Sequence, residues 1–388
     1  MSDFSARRVA GLDLVRCVAI LSVVVGHYWP VYERFPGLAP LRFLGVVGVE
    51  IFFVLSGFLI GGILIRQAAE LGDRQGGFRL RDAPSFWLRR WFRTLPNYIL
   101  FFVIFFVFDE PWTKDNWGAW ALSAFFLQNL FIDLSAGSFG VAWSLCVEEW
   151  LYLVLPLVLA AFTSRTKNPE RSALYGALVL VIVPTLLRFT TIGKPWDLGV
   201  RHIVIYRIDA IAYGVLLAYL ARYRSHFFER VASGRWALYG AVGLASISLG
   251  WWTVGSVWVA KNEAREGIKW LVMSVLFFPA MSLAIVPLVA AASRLVDLPR
   301  CFSAFVYRTS LYSYSMYLAH TLVFYFVGSV IYVAIARCFG EFRGMTFVMA
   351  GVTLVVLYAV SAAVYHLWEG PMTRLRERFS FSGSGGRS

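Results

Sequence analysis

Ionisable side chains inside long apolar runs are the residues of this sequence whose types and spacing could do chemistry. Arg16 and His27 lie eleven residues apart in the first apolar run. Eleven residues at 100° each return to within about 20° of one helix face, about 16 Å along the axis. A helix here therefore carries a cation toward the cytoplasm and an imidazole near its outer end. In the other interpretation, Arg16 extends toward headgroups and His27 lies at the interface beside Tyr28 and Trp29.

Two adjacent carboxylates, Glu148 and Glu149, lie one to two turns inside a later apolar run that opens with Trp143 and Ser144. In the topology that loop charge favours, they lie at a depth comparable to that of His27. A carboxylate near an imidazole fixes its tautomer and raises its basicity. The alternative is a pair of acids favoured by the helix dipole at an N-terminus.

Arg207 and Asp209 form a further charged group within an apolar run. Residues two apart do not meet on one helix face, so each is predicted to bond to a different neighbouring helix. Gly214 and Ala218 are spaced four apart, which allows close helix packing. A structural ion pair and a catalytic role both remain open for this group.

Arg89, Arg90 and Arg93 form a basic cluster at the cytoplasmic mouth of the third predicted helix. Guanidinium forks there could bind the phosphate groups of a soluble nucleotide-bearing donor. The alternative is a positive-inside anchor. A polar stripe near the C-terminus carries Tyr317 and His320, and a lone histidine of this kind is typically a hydrogen-bonded packing residue.

The elements that must position these groups are membrane helices. Of the 388 residues, 59% are hydrophobic and 15% are charged, unlike a soluble domain. Apolar runs near the ~20 residues needed to cross a bilayer recur throughout. We therefore expect a single membrane domain over 1–378 and a flexible Ser/Gly-rich tail over 379–388.

Net charge and cysteine placement exclude other classes of protein. The net charge of +13 comes mostly from arginines in short loops, which indicates topology and contact with anionic membrane lipids rather than nucleic-acid binding. The four cysteines show no CxxC or CxxH spacing, so neither a disulfide framework nor a metal site is predicted.

The predicted fold is an all-α membrane protein with about ten transmembrane helices plus one re-entrant segment and both termini cytoplasmic. The candidate helices cover roughly 12–31, 43–65, 94–108, 118–132, 144–162, 173–190, 203–221, 236–256, 270–292, 311–336 and 345–367. If 118–132 re-enters without crossing, 23 basic residues lie inside and 11 outside; if it crosses, each side holds 17, with Arg16 and Arg207 left out of both counts because they lie within or at the end of helices. The positive-inside rule favours the re-entrant topology.

Six motifs follow one another along the chain. They are Arg16-x10-His27; Gly48-Val-Glu-Ile-Phe-Phe-Val-Leu-Ser-Gly-Phe-Leu-Ile60; Arg90-x-x-Arg93-x-x-Pro96; Trp143-Ser-Leu-x-x-Glu148-Glu149-x-x-Tyr152; Arg207-x-Asp209; and Ser313-Tyr-x-x-Tyr317-Leu-x-His320. In this order they resemble the acyltransferase-3 family of integral membrane O-acyltransferases, over nearly the whole chain. Glu50 stands where aspartate is commoner in the family, which leaves its role open. The esterase-like domain that some relatives carry is not found, so a second transfer step is expected to need another protein.

The resemblance implies an enzyme of the bacterial inner membrane that moves an acyl group, usually acetyl, to a hydroxyl of a sugar or glycoconjugate. The donor implied is acyl-coenzyme A from the cytoplasm, with no metal. His27 is then expected to act as general base, with Glu148 and Glu149 as the catalytic carboxylates. A covalent acyl-histidine is the alternative route.

Arg16, Arg90 and Arg93 are assigned to the coenzyme under this hypothesis. Further site candidates within the motifs are Ser144, Arg207, Asp209, Tyr317 and His320. The implied partners are membrane lipids and a glycan or lipid-linked sugar, and a homo-oligomer is left open. Two rival functions are a proton-coupled membrane transporter with a relay of these groups at mid-membrane and a non-catalytic subunit of a polysaccharide export complex.

Overall fold

The computed structural model describes residues 8–75, 77–108, 117–134, 137–340, 342 and 344–375. Within them, ten helices lie where the sequence predicts crossings. These are α1 Ala10–Gly26, α2 Phe43–Gln75, α3 Ala83–Phe108, α4 Trp143–Thr166, α5 Pro169–Leu187, α6 Val204–Tyr223, α7 Gly234–Gly250, α8 Phe277–Ala292, α9 Arg300–Leu322 and α10 Met345–Val364.

Turns of π-helix join several of these helices to shorter ones. The π-helical segments are Asp197–Arg201, Trp251–Gly255, Leu271–Leu276, Val323–Val327 and Tyr365–Glu369. The remaining short α-helices are Trp29–Arg34, Trp117–Ala124, Ser225–Val231, Ser256–Ala260, Gly267–Trp270, Gly328–Phe339 and Gly370–Leu375. The 3-10 turns are Pro36–Arg42, Leu80–Asp82, Gly137–Ala142, Arg188–Thr190 and Glu263–Arg265.

The described helices are long and apolar enough to make this a multi-pass membrane protein. Nine helical stretches of at least 18 residues meet the length and hydropathy expected of a membrane span. The tenth, α1, has 17 residues, which is at the lower end of the range that crosses a bilayer. No strand occurs in the described part of the chain. The prediction of an all-α membrane protein is therefore confirmed.

The doubtful segment at 118–132 contains only a short helix. Trp117–Ala124 has eight residues, or about 12 Å of helix, against a hydrocarbon core of about 30 Å. It cannot cross the membrane as a helix, which agrees with the predicted topology. The predicted tail at 379–388 lies outside the described residues, and the cytoplasmic placement of both termini stays a prediction.

The centre of the bundle is the contact between α2 and α6, which also pack on α1 and α5 respectively. Glycines make this contact close: a Cβ on Gly57 would lie 1.8 Å from the Ile211 carbonyl oxygen, and one on Gly214 would lie 2.0 Å from that of Val54. The predicted close packing at Gly214 is confirmed.

Candidate active site

A cavity of about 250 Å³ lies among α1, α2, α3, α4 and α9. Polar side chains from all five helices line it. They are Arg16, Ser56, Arg90, Arg93, Thr94, Ser144, Glu148, Tyr152, Ser313, Tyr314 and Tyr317. The lining on α2 runs from Val49 to Ile63, which at 1.5 Å per residue is about 21 Å. The cavity is therefore long and follows the helix axes.

Three predicted donor-binding arginines share this cavity. Arg16 lies in the first half of α1, and Arg90 and Arg93 lie in the first half of α3. The Arg16 guanidinium is 3.3 Å from the Asp13 carboxylate, which also accepts a hydrogen bond of 2.7 Å from Ser310. Because α1 and α3 run in the same direction through the predicted topology, the three guanidinium groups lie toward one side of the bilayer.

Glu148 contacts the cavity through a short hydrogen-bonded chain. The Tyr152 hydroxyl donates to Glu148 over 2.8 Å and lies 2.6 Å from the Ser56 hydroxyl. The single phenolic proton is used on Glu148, so Ser56 donates to Tyr152. Glu149 is buried next to Thr94 and is not part of the cavity lining. The sequence predicted both carboxylates as catalytic, and only Glu148 lines the cavity.

His27 lies beyond the opposite end of the cavity, at the C-terminus of α1. Its Nδ1 is 2.7 Å from the Val23 carbonyl oxygen, and its ring centroid is 4.9 Å from that of His320. The His320 Nδ1 is 2.6 Å from the Tyr317 carbonyl oxygen. A carbonyl oxygen can only accept, so the Nδ1 of each imidazole donates, and in each neutral ring Nε2 carries the lone pair.

Tyr317 connects this pair of imidazoles to the cavity. Its ring centroid is 5.7 Å from that of His320, and its hydroxyl lies 2.6 Å from the Ser144 hydroxyl and 3.0 Å from the Val141 carbonyl oxygen. The hydroxyl donates to Val141, so Ser144 donates to Tyr317. Ser144 belongs to the first turn of α4, which starts on the side of the bilayer away from the arginines. The structure thus brings together four predicted site residues: His27, Ser144, Tyr317 and His320.

The predicted direct pair between His27 and Glu148 is not present. Glu148 bonds to Tyr152, whereas the contacts described for His27 are the Val23 carbonyl and the His320 ring. The two residues come from antiparallel helices, and their depths differ because Glu148 lies more than a turn inside α4. The group that approaches His27 is a second imidazole rather than a carboxylate.

Arg207 and Asp209 lie apart from the cavity lining, in the core around α6. Arg207 donates to Glu50 on α2 over 2.5 Å, and Arg188 donates to Asp209 over 2.7 Å. The side chains of both pairs have exposures of 0–1%. The prediction that each residue bonds to a different neighbour is confirmed, and Glu50 has a partner. These contacts favour a structural role for the group.

A charged cluster at the start of α4 and α6 was missed by the sequence analysis. His202 stacks on Trp143 with ring centroids 4.5 Å apart, and its Nδ1 is 2.7 Å from the Asp133 carboxylate. Arg201 donates to the His202 Nε2 over 2.8 Å and also pairs with Asp197. The sequence does show a run of unlike charges in one predicted outer loop. The basic residues of that loop entered only the count of positive charge on each side of the membrane.

The hydrogen bonds of this outer cluster fit a neutral imidazole, because the His202 Nε2 accepts from Arg201. Burial and the neighbouring Arg201 guanidinium lower the pKa of His202, and Asp133 offsets this only in part. Among the described residues no group of three or more His, Cys, Asp or Glu side chains is arranged to hold a metal ion.

The fold and the site define an integral membrane protein with a long arginine-lined cavity that leads toward two imidazoles. Residues 9–366 match a family profile described as an acyltransferase domain. The chain therefore belongs to the acyltransferase-3 family, as its motifs indicated.

Several curated bacterial proteins are similar to this chain over part of their length. Over 181 residues it is 32% identical to the peptidoglycan O-acetyltransferase OatA of Listeria monocytogenes, covering 43% of this chain and 26% of that protein. Over 229 residues it is 31% identical to the putative peptidoglycan O-acetyltransferase YrhL of Bacillus subtilis, covering 54% and 32%. A putative O-acetyltransferase of Staphylococcus aureus is 26% identical over 239 residues, covering 55% and 35%.

The matched regions thus span about a quarter to a third of the length of these relatives. No solved structure matches this chain.

Proposed function

We propose that this protein is an O-acyltransferase of the bacterial inner membrane that moves an acetyl group from acetyl-coenzyme A to a hydroxyl of a glycan. The observation that carries the proposal is the shape and charge of the cavity. One half presents guanidinium groups, the lining continues for about 21 Å along α2, and the other end reaches Tyr317, next to the two imidazoles.

The charge of the cavity suits an anionic donor. Its lining includes three arginines and one carboxylate, Glu148. Coenzyme A carries several phosphate charges on one end and a thin, uncharged pantetheine arm on the other. Guanidinium groups bind phosphates with two parallel hydrogen bonds. The arm would then lie among apolar side chains of α2 such as Phe52, Leu59 and Ile60, with the thioester toward Tyr317.

The chemistry assigned to His27 follows from its tautomer. Its Nδ1 donates to the Val23 carbonyl, so Nε2 is able to take a proton. As the acceptor oxygen forms a bond to the thioester carbonyl carbon, its proton passes to Nε2. The carbon–sulfur bond then breaks, and the same proton leaves with the thiolate as free coenzyme A thiol. A covalent acyl-imidazole would give the same products in two steps.

The chemical class proposed for the acyl acceptor is based on the names of the similar proteins. Two of them are named as peptidoglycan O-acetyltransferases, so a glycan hydroxyl is the proposed acceptor here. The imidazoles lie toward the side where α4 begins, which loop charge predicts to be outside the cell. A donor from the cytoplasm and an acceptor from outside would thus meet within the bilayer.

The test uses purified full-length protein in detergent, acetyl-coenzyme A and soluble peptidoglycan fragments. We expect release of free thiol that requires the fragments, together with fragments heavier by one acetyl group in mass spectra. His27→Ala should abolish both signals, whereas His226→Ala, at an exposed imidazole, should leave them unchanged. Thiol release independent of the fragments, or an active His27→Ala protein, would contradict the proposal.

A further inference from the structure

His320 differs from an ordinary packing histidine in one respect. Its side chain is fully buried, its Nδ1 is bonded to the Tyr317 carbonyl oxygen at 2.6 Å, and its Nε2 has no hydrogen-bond partner among the described residues. Buried polar atoms are nearly always paired in folded proteins, and an exception calls for an explanation. If this position needed only a ring for packing, an apolar ring would serve without leaving an unpaired nitrogen.

The neighbour that could supply the missing bond is His27. The two rings approach edge to face, with centroids 4.9 Å apart and an interplanar angle of 65°. While both imidazoles are neutral, both Nε2 atoms are acceptors, and no hydrogen bond can form between them. Once His27 takes a proton, its Nε2–H becomes a donor that can be shared, as a three-centre hydrogen bond, between the reacting oxygen or sulfur and the lone pair of His320.

We propose that His320 is a positioning residue for the transfer reaction, whose Nε2 accepts a hydrogen bond from His27 only while His27 holds the proton of the acceptor hydroxyl. This inference rests on the proposed function. The contact is absent before the proton moves and present while it is held, so it stabilises the transition state more than the bound substrates. No atom of His320 needs to touch the substrate, because it acts through His27.

The surroundings of His320 keep its lone pair available. Nδ1 is held by the backbone of its own helix, which fixes the tautomer and prevents Nε2 from carrying a proton in the neutral ring. The neighbouring hydroxyl of Tyr317 is already engaged with Val141 and Ser144. Phe324 covers another side of the ring, with centroids 6.1 Å apart. The acceptor is thus held beside His27, and no donor in the described part of the chain is bonded to it.

Two substitutions separate this role from a structural one. His320→Asn places an amide near the position of Nδ1, so it can keep the bond to Tyr317 while it removes the acceptor. His320→Gln extends an amide oxygen to the position of Nε2 and keeps the acceptor. In the thiol-release assay we expect kcat to fall about 100-fold or more for His320→Asn and less than about tenfold for His320→Gln, the size of a general acid–base contribution. KM for both substrates should stay near the wild-type value.

The opposite ranking, equal losses in both variants, or a loss confined to KM would overturn the inference and leave the proposed function standing. If His320→Asn is recovered only as aggregate on size exclusion, the kcat of His320→Gln is the only test of the inference. A kcat within about tenfold of the wild type supports the inference, and a larger fall overturns it. If the wild-type protein transfers no acetyl group at all, the proposed function fails and this inference fails with it.

Discussion

Arg207 on α6 donates to Glu50 on α2 over 2.5 Å, and neither side chain is reached by solvent. A second buried pair joins Asp209, two residues further along α6, to Arg188 in the turn that follows α5. The Arg207 guanidinium also stacks over the Phe278 ring, 3.7 Å from its centroid. Charges bound this way cannot leave their partners without a large cost in free energy. The pairs therefore fix the position of α6 against α2 and α5, and they do not resemble groups that exchange protons in a transport cycle.

The first prediction concerns the buried pair at Glu50. Glu50→Ala should lower the free energy of unfolding by about 3–5 kcal/mol, because the Arg207 charge would remain buried without its partner. Thermal unfolding of the purified protein in detergent measures this as a lower Tm. The control is Glu70→Ala, an exposed glutamate on the same helix, which should change stability by no more than about 0.5 kcal/mol. Equal Tm values for the two variants would refute the assigned role.

The second prediction concerns the contact between α2 and α6. Gly57→Ala would place a methyl group 1.8 Å from the Ile211 carbonyl oxygen, so the helices must separate, at a cost of about 1–3 kcal/mol. Gly62→Ala on the same helix meets no atom of the described residues within 4 Å and should be neutral or stabilising, by up to about 1 kcal/mol. Melting curves of the two alanine variants in one detergent compare them directly. If the Gly57→Ala protein has the same Tm as the Gly62→Ala protein, the two helices are not in close contact.

The crossings could be predicted from the sequence because apolar length and loop charge are local properties of the chain. The same holds for the prediction that Arg207 and Asp209 bond to different neighbours, since a spacing of two residues already places them on different faces of a helix. The cluster of His27, Ser144, Tyr317 and His320 was predicted residue by residue, through the family motifs. Its arrangement was not.

The arrangement depends on the relative depth of separate helices, which spacing along one chain segment does not encode. The sequence predicted a pair between Glu148 and His27 because the two residues lie at similar depths. In the structure, Glu148 accepts a hydrogen bond from Tyr152 instead. Arg188 and Arg201 were missed as functional neighbours because they lie at predicted helix ends or in loops, where arginine is expected for topology alone. Their partners become visible only when distant segments are placed together.

The third prediction separates the cavity arginines from their exposed neighbour. Arg93 lines the cavity, whereas Arg89, in the same basic cluster, is exposed and does not. Arg93→Ala should raise KM for acetyl-coenzyme A about 10- to 100-fold, the worth of a hydrogen bond to a charged group, and leave KM for the glycan acceptor unchanged. Arg89→Ala should alter neither. Steady-state thiol release with each substrate varied in turn gives both constants. An equal effect of the two substitutions, or a defect confined to the acceptor, would assign the cluster to membrane anchoring instead.

The fourth prediction is a pH dependence of stability at His202. The pKa of this imidazole is lowered from its ordinary value of 6.5 by burial and by the adjacent Arg201. In the neutral ring, Nε2 accepts a hydrogen bond from the guanidinium, whereas a protonated Nε2 would face it as a second positive charge. As pH falls below 6.5, the unfolded chain takes up this proton before the folded chain does. The contribution to stability is therefore complete above pH 6.5 and is lost as pH falls from there toward the folded pKa, with a slope of at most about 1.4 kcal/mol per pH unit.

His202→Asn removes the titrating group and keeps a donor for the Asp133 carboxylate, which His202 now contacts at 2.7 Å. The difference in unfolding free energy between the wild type and this variant should therefore shrink as pH is lowered from about 7.5 to 5.5, the interval that brackets an ordinary histidine pKa. The matched substitution His226→Asn, at an exposed imidazole, controls for effects of the exchange that do not come from the buried cluster. A wild-type advantage over His202→Asn that grows on acidification would mean that the folded protein holds His202 protonated, and the bond from Arg201 to its Nε2 would then have to be abandoned.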